Sequence, residues 1–254
     1  MQGSEMVLGW LAGCAALDGT LVTTEVDASP LGTTYTQTVY TPPGAPTGPG
    51  APWVLLLDGD EWTESAAEQL DRAVRRGDAA PRVVVGLGHQ PTRARDYTPF
   101  PSDGVAAASA GKVGEIVPFF DWLLGEWLPA LEADTGWGGA RSARTLTGHS
   151  YGGLATAWAL SHHAEVFGCY GAVSPSLWWD DGAPLGWTFP LDGASVAVVY
   201  GAVEDASIAG LAHAWAEDLA DQNDGAVTEQ RMAGGDHLTV PLRQGWGVVF
   251  EACR

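Results

Sequence analysis

The strongest chemical signal in the chain is a serine framed by glycines, Gly148-His149-Ser150-Tyr151-Gly152. A serine hydroxyl is a weak nucleophile at neutral pH and attacks a carbonyl only when a base takes its proton. An apolar stretch precedes this pentapeptide and a helix-forming stretch, residues 154–160, follows it. Strand, sharp turn and helix in that order hold a serine in a strained conformation with its Oγ displayed at the sheet edge. Flanking glycines are needed because a Cβ there would collide with the neighbouring strand and helix. The chemistry open to such a serine is acyl transfer.

The base and its orienting acid are expected later in the chain, on loops at the same sheet edge, in the order serine, acid, histidine. Of the six histidines, His89 precedes the serine and His149 is the variable residue of the pentapeptide. His162 and His163 end a helical stretch, whose negative pole suits them, and His213 lies inside another. His237, in the loop Gly234-Gly-Asp-His-Leu-Thr-Val-Pro241 after the last strand, is the candidate base. The acid should follow the strand at 195–200. There Glu204 is favoured as nearer the strand end, and Asp205 is the alternative. The member not used would cap or charge the next helix. Asp236 is a weaker candidate. Two backbone N–H groups must receive the oxyanion. Tyr151 supplies one, and Asp60 the other, on a loop where Gly59 permits close approach.

Hydrophobic patterning supplies the elements that position these groups. Residues 33–41 alternate as a strand does and end at Pro42-Pro43, while residues 41–52 lack any period and read as a surface loop. Residues 53–57 are a continuous apolar run suited to a strand buried on both faces, and Arg82-Val-Val-Val-Gly86 reads as the next central strand. Ala66, Leu70, Ala73 and Val74 recur at helical spacing, with Gly77 as a stop. A longer stripe runs through Val113, Ile116, Val117, Phe120, Leu124, Trp127, Leu128 and Leu131, with Pro118 in its first turn and Pro129 at a late kink or end. Residues 167–174, 195–200 and 227–232 read as strands. Ile208, Leu211, Ala212, Trp215 and Leu219 form a helix face closed by Asn223-Asp224-Gly225, and residues 240–253 the last helix. The alternation predicts an α/β fold, a mostly parallel central sheet with helices on both faces, in a single domain over residues 21–254.

Residues 1–20 read as a leader or disordered N-terminus. Residues 6–14 resemble a short signal core ending in Leu11-Ala12-Gly13-Cys14, a pattern that would place a lipid anchor on Cys14, although no Lys or Arg precedes it. Cys14, Cys169 and Cys253 are too few and too scattered for a disulfide framework or a zinc site, and Cys169 reads as an inert core thiol. The chain has 31 acidic against 12 basic residues, a net charge of −19, and Lys112 is its only lysine. Such a field repels nucleic acid and anionic membrane, and no apolar run reaches the ~18–20 residues needed to span a bilayer. The charges form no block and read as a solvated surface. Oligomeric state is not set by the sequence.

Several of these pieces together resemble the esterase-D-like family of α/β-hydrolases, and within it the enterochelin and salmochelin (siderophore) esterases. They are Leu57-Asp58-Gly59 with Trp62, Arg93-Ala-Arg-Asp-Tyr-Thr-Pro99, Gly148-His-Ser-Tyr-Gly-Gly153, Ser174-Pro-Ser-Leu-Trp-Trp-Asp180 and Asp236-His237. The resemblance implies an α/β-hydrolase fold and hydrolysis of a small-molecule ester through an acyl-enzyme, with no metal or organic cofactor. The ester would be a siderophore lactone, a feruloyl or acetyl sugar ester, or a small acyl ester. The same resemblance implies that Arg93 or Arg95 holds a polar group of the substrate, the alternative being an ion pair with Asp96, and that Trp178 and Trp179 wall the acyl side. This chain departs from the siderophore esterases in being acidic where they favour basic pockets. The family's acid position also varies, so a Ser–His dyad stays open. Two other readings are an acyltransferase of the same fold and a ligand-binding domain without catalysis. The presence of serine, histidine, acid and Asp-Gly loop together speaks against the second.

Overall fold

The computed structural model describes residues 17–88, 91–102, 113–222 and 226–253. Cys14, His89 and the Asn223-Asp224-Gly225 turn expected from the sequence lie outside the described residues, as does most of the expected leader. The strands are β1 (Thr20–Ala28), β2 (Thr33–Thr41), β3 (Trp53–Leu57), β4 (Val83–Leu87), β5 (Arg144–His149), β6 (Cys169–Val173), β7 (Ser195–Gly201) and β8 (Val227–Met232). They form one sheet in the order β1-β2-β4-β3-β5-β6-β7-β8. β1 pairs antiparallel with β2, and β2 with β4; every other pair is parallel. Along β3, Trp53, Leu55 and Leu57 enter one apolar cluster and Val54 and Leu56 the other, so a continuous apolar run serves both faces. The expected parallel sheet with two covered faces is present.

The helices are α1 (Gly59–Arg76), α2 (Arg93–Tyr97), α3 (Ile116–Trp122), α4 (Leu128–Thr135), α5 (Tyr151–His162), α6 (Ala206–Gln222), α7 (Thr239–Arg243) and α8 (Gly245–Ala252). α1 has Asp60 and Glu61 in its first turn, Arg75 and Arg76 in its last, and Gly77 at φ 77° as its left-handed stop. That charge order matches the helix dipole.

Four features differ from the sequence expectation. β1 pairs with β2 along its whole length, from Thr20↔Thr41 to Ala28↔Thr33, yet its TLVTTEVDA sequence is mostly exposed and so lacks a buried apolar alternation. Just before it, the Asp18 and Gly19 amides donate to Asp71 Oδ2 and Tyr40 OH at 2.9 and 3.0 Å. Of the kink or end expected at Pro129, the end does not occur. A π-type turn at Leu123–Trp127 joins α3 to α4, with the Leu128 amide on the Leu123 carbonyl, and the wider turn accommodates the proline that has no N–H to offer. The expected last helix is broken at Gln244 into α7 and α8. Finally, Cys169 is not a free core thiol: it forms a disulfide with Cys253, Cα–Cα 5.6 Å. A sequence separation of 84 residues gave no local sign of this pair, which the fold brings together where the chain leaving α8 meets the first residue of β6.

Candidate active site

β5 delivers the chain to Ser150, which has φ 59° and ψ −115° before α5 begins at Tyr151. A non-glycine residue at positive φ costs on the order of 1–3 kcal/mol and persists only where its surroundings hold it. Here the Ser150 amide donates to the Val173 carbonyl at the end of β6, and its carbonyl accepts from Leu154 and Ser176. The turn also needs Gly148, since a Cβ there would lie 2.5 Å from the Gly152 backbone. Ser150 Oγ lies 3.3 Å from Ser176 Oγ.

Glu204 follows β7, and its side chain is fully buried. Its Oε1 is 2.8 Å from His237 Nδ1, while its Oε2 accepts from the Gly201 amide at 2.6 Å and from Ser174 Oγ at 3.0 Å. An ionised carboxylate only accepts, so these donors fix both of its oxygens, and Nδ1 is the protonated imidazole nitrogen facing it. The acid loop and the histidine loop approach closely because Gly201 has no side chain: a Cβ would fall 2.1 Å from the Gly235 oxygen. The Val203 amide joins the two loops by donating to that same oxygen at 3.0 Å.

The structure therefore brings Glu204, not Asp205, to His237. Asp205 is exposed and its Oδ1 accepts from the Ser207 amide at 2.8 Å, capping α6. Asp236 plays the corresponding part for α7, with its Oδ1 accepting from the Leu238 and Thr239 amides at 3.1 and 2.8 Å.

Sequence reasoning passed over His149. Its ring is buried between Trp62 and His237, with centroids 5.1 and 4.5 Å away. Burial holds its pKa well below the usual histidine value, and the neighbouring His237 and Arg93 push the same way. His149 Nε2 lies 2.8 Å from the His237 carbonyl oxygen. A carbonyl only accepts, so Nε2 carries the proton of a neutral ring and ties the residue before the nucleophile to the backbone of the candidate base. The fixed spacing Gly-His-Ser was visible in the sequence; the 88-residue jump to His237 was not.

Arg93 and Arg95 have different surroundings. Arg93 makes a two-pronged pair with the buried Asp58, Nε–Oδ1 2.7 Å and Nη2–Oδ2 2.9 Å, and its Nη2 also donates to the His149 carbonyl at 3.0 Å. Burial alone would lower its pKa, but Asp58, with Tyr97 and Glu61 behind it, outweighs this and the pKa is raised. Asp58 itself is held in the left-handed region, φ 58°, with its amide on Tyr97 OH. Arg93 thus braces the loop after β3 against the elbow, with its guanidinium 5.2 Å from the centre of the Tyr151 ring. Arg95 donates to Asp96 Oδ1 at 2.6 Å and to the Leu31 carbonyl at 3.1 Å, so its contacts are those of the loop-fixing alternative and not of a substrate ligand.

Trp178 is half-buried beside Tyr151, with centroids 6.0 Å apart, whereas Trp179 is fully buried and its indole donates to the Phe100 carbonyl at 3.1 Å. Only the first has surface to offer a substrate. Asp60 is the second residue of α1, in the turn whose first amides have no earlier helical carbonyl to bond. Among the described residues no group of three or more His, Cys, Asp or Glu is placed to hold a metal ion.

With this geometry, comparison with known proteins is informative. The family described as "Putative esterase" matches residues 28–247. The chain belongs to that family. Among similar proteins is the siderophore triacetylfusarinine C esterase of Aspergillus fumigatus, 34% identical over 139 residues, or 51% of this chain and 45% of that one. The chain spans about half the length of the curated relatives it matches. Among solved structures, the BES protein from Bacillus cereus superposes with a TM-score of 0.76 at 20% identity, covering 99% of this chain and 98% of that one. Siderophore hydrolase EstA from Aspergillus nidulans does so with 0.74 at 21%, covering 97% of each. These likenesses establish the α/β-hydrolase fold for this member of the family. No helix among the described residues is long and apolar enough to cross a membrane.

Proposed function

We propose that this protein hydrolyses carboxylic esters through an acyl-enzyme on Ser150. The observation that carries the reading is the buried Glu204 carboxylate on His237 Nδ1, at the sheet edge where Ser150 is held at positive φ. With Nδ1 engaged, Nε2 of His237 is the nitrogen that takes the serine proton. Rotation about the serine side chain moves Oγ from Ser176 to His237 as the ester binds; such catalytic contacts commonly tighten only in the complex. Oγ then attacks the ester carbonyl. The amides of Tyr151 and Asp60 receive the oxyanion, each lowering the barrier by about 3 kcal/mol. The imidazolium gives its proton to the leaving alcohol, and the same groups in reverse direct water onto the acyl-serine. Glu204 keeps the imidazole oriented and stabilises its positive charge, Arg93 braces the loops, and Trp178 walls the acyl side.

Family membership and the Aspergillus fumigatus relative support a siderophore ester or another small polar ester as substrate. The charge of −19 favours neutral or cationic acyl groups over polyanionic catecholates. Burst kinetics on p-nitrophenyl esters from acetate to octanoate test the reading. The expected result is one equivalent of p-nitrophenol released rapidly by the native protein, with turnover in Ser150→Ala lower by on the order of 10⁶. Equal turnover in both proteins removes Ser150 from the mechanism.

A further inference from the structure

The starts of β6 and β7 and the approaches to β3 and β5 lie at the edge of the sheet opposite Ser150. There the surface opens into a cavity of about 580 Å³. Arg82, Arg141 and the hydroxyl-bearing Ser142, Thr145 and Ser195 line it beside the Cys169–Cys253 disulfide. None of the described residues lining it is acidic, in a chain with 31 carboxylate residues against 12 basic ones.

Arg82 stands just before β4 and is 5% exposed. Its Nη1 donates to the Cys253 carbonyl, its Nε is buried without a hydrogen-bond partner, and among the described residues no carboxylate pairs with it. Burial pushes its pKa down with no opposing charge to hold it up. Arg141 is fixed by three carbonyls, from Phe167, Leu191 and Asp192 at 3.0, 2.8 and 2.7 Å; the Asp192 carboxylate, 3.5 Å away, is 81% exposed. A buried guanidinium without a counter-charge is unfavourable, and it is normally matched by a carboxylate or by a bound anion. The other arginines described above have a carboxylate partner, Arg141 only the exposed Asp192; Arg82 has none among the described residues, and the cavity wall beside it offers hydroxyl donors instead.

We propose that the cavity is a binding site for a small oxyanion, held between Arg82 and Arg141 with hydroxyl donors from the same wall. Sulfate, phosphate and carboxylate share the chemistry that a guanidinium fork recognises, two oxygens on one centre. A bound anion stabilises the folded state by mass action and leaves the serine edge untouched.

Calorimetric titration of the full chain with sodium sulfate, phosphate and acetate, each at an ionic strength held constant with chloride, tests this. Saturable binding is expected in the native protein, at least about tenfold weaker in Arg82→Gln and in Ala143→Glu, which puts a carboxylate on the cavity wall. Preference for sulfate and phosphate identifies a tetrahedral ligand, and preference for acetate a carboxylate. Absence of saturable binding by all three anions overturns the proposal, and so does undiminished affinity in either folded variant. Should Arg82→Gln fail to fold, Ala143→Glu decides. Ester turnover measured alongside is expected to stay the same in both variants.

Discussion

Two histidine–glutamate pairs lie beside the end of β7, and they have nearly the same length. His237 Nδ1 lies 2.8 Å from Glu204, and His213 Nδ1 lies 2.7 Å from Glu229. Consecutive residues of the strand attend to them: Tyr200 OH donates to Glu229, and the Gly201 amide to Glu204. The difference lies in the surroundings. Glu204 is fully buried and its second oxygen takes two more donors, whereas Glu229 is 32% and His213 51% exposed. Glu229 raises the pKa of His213 through a hydrogen bond at the surface, and the other ring nitrogen faces a second carboxylate, Glu217, at 3.6 Å. A histidine–carboxylate distance is thus weak information about chemistry. Burial of the acid, additional donors on it and a strained serine nearby are what separate the two pairs.

Substitution of the two acids is the sharpest way to break the comparison. Glu204→Gln should lower kcat by on the order of 10³–10⁴, because the amide cannot stabilise the imidazolium and favours the wrong tautomer. Glu229→Gln should leave kcat within about twofold, and steady-state rates on one p-nitrophenyl ester distinguish them. A smaller effect separates stability from chemistry at this end of the sheet. Cys253→Ser opens a long covalent loop and should cost about 2–4 kcal/mol in urea unfolding with kcat at 25 °C unchanged.

The smallest effect probes a support that the surface pair lacks. His149→Gln is expected to lower kcat about tenfold with little change in KM, the loss of one hydrogen bond to the His237 backbone. It should also alter the pH dependence of stability. The folded-state pKa of His149 lies below its ordinary 6.5, so the unfolded chain takes the proton first. The native protein therefore keeps the full contribution above pH 6.5 and loses it as pH falls, by up to about 1.4 kcal/mol per unit. Unfolding at pH 7 and pH 5 should show that part of the slope missing in the variant.

Much of this arrangement was legible in the residues. The strand at 53–57, the glycine stop at 77 and the strand–serine–helix unit all follow from short-range pattern, and the structure has each of them. The order serine, glutamate, histidine along the chain pointed to one sheet edge, and the fold places Ser150, Glu204 and His237 there. What sequence could not show depends on partners far apart. Pro129 left a kink and a helix end both open because the compensating π-type turn lies upstream and has no motif. Arg95 looked like Arg93, and only the fold sends one to Asp96 and the other to Asp58. β1 stayed hidden because an edge strand facing water on most of its surface needs no apolar alternation.

The Cys169–Cys253 bond closes a ring of chain that begins at the first residue of β6 and runs through β7, Glu204, β8 and His237. Acid and base ride inside this ring, and the serine is attached to it from outside. A single proteolytic nick in the surface stretch between residues 183 and 193 would therefore leave the two fragments covalently joined. The nicked protein would migrate as one species on a denaturing gel without reductant and separate into two with it.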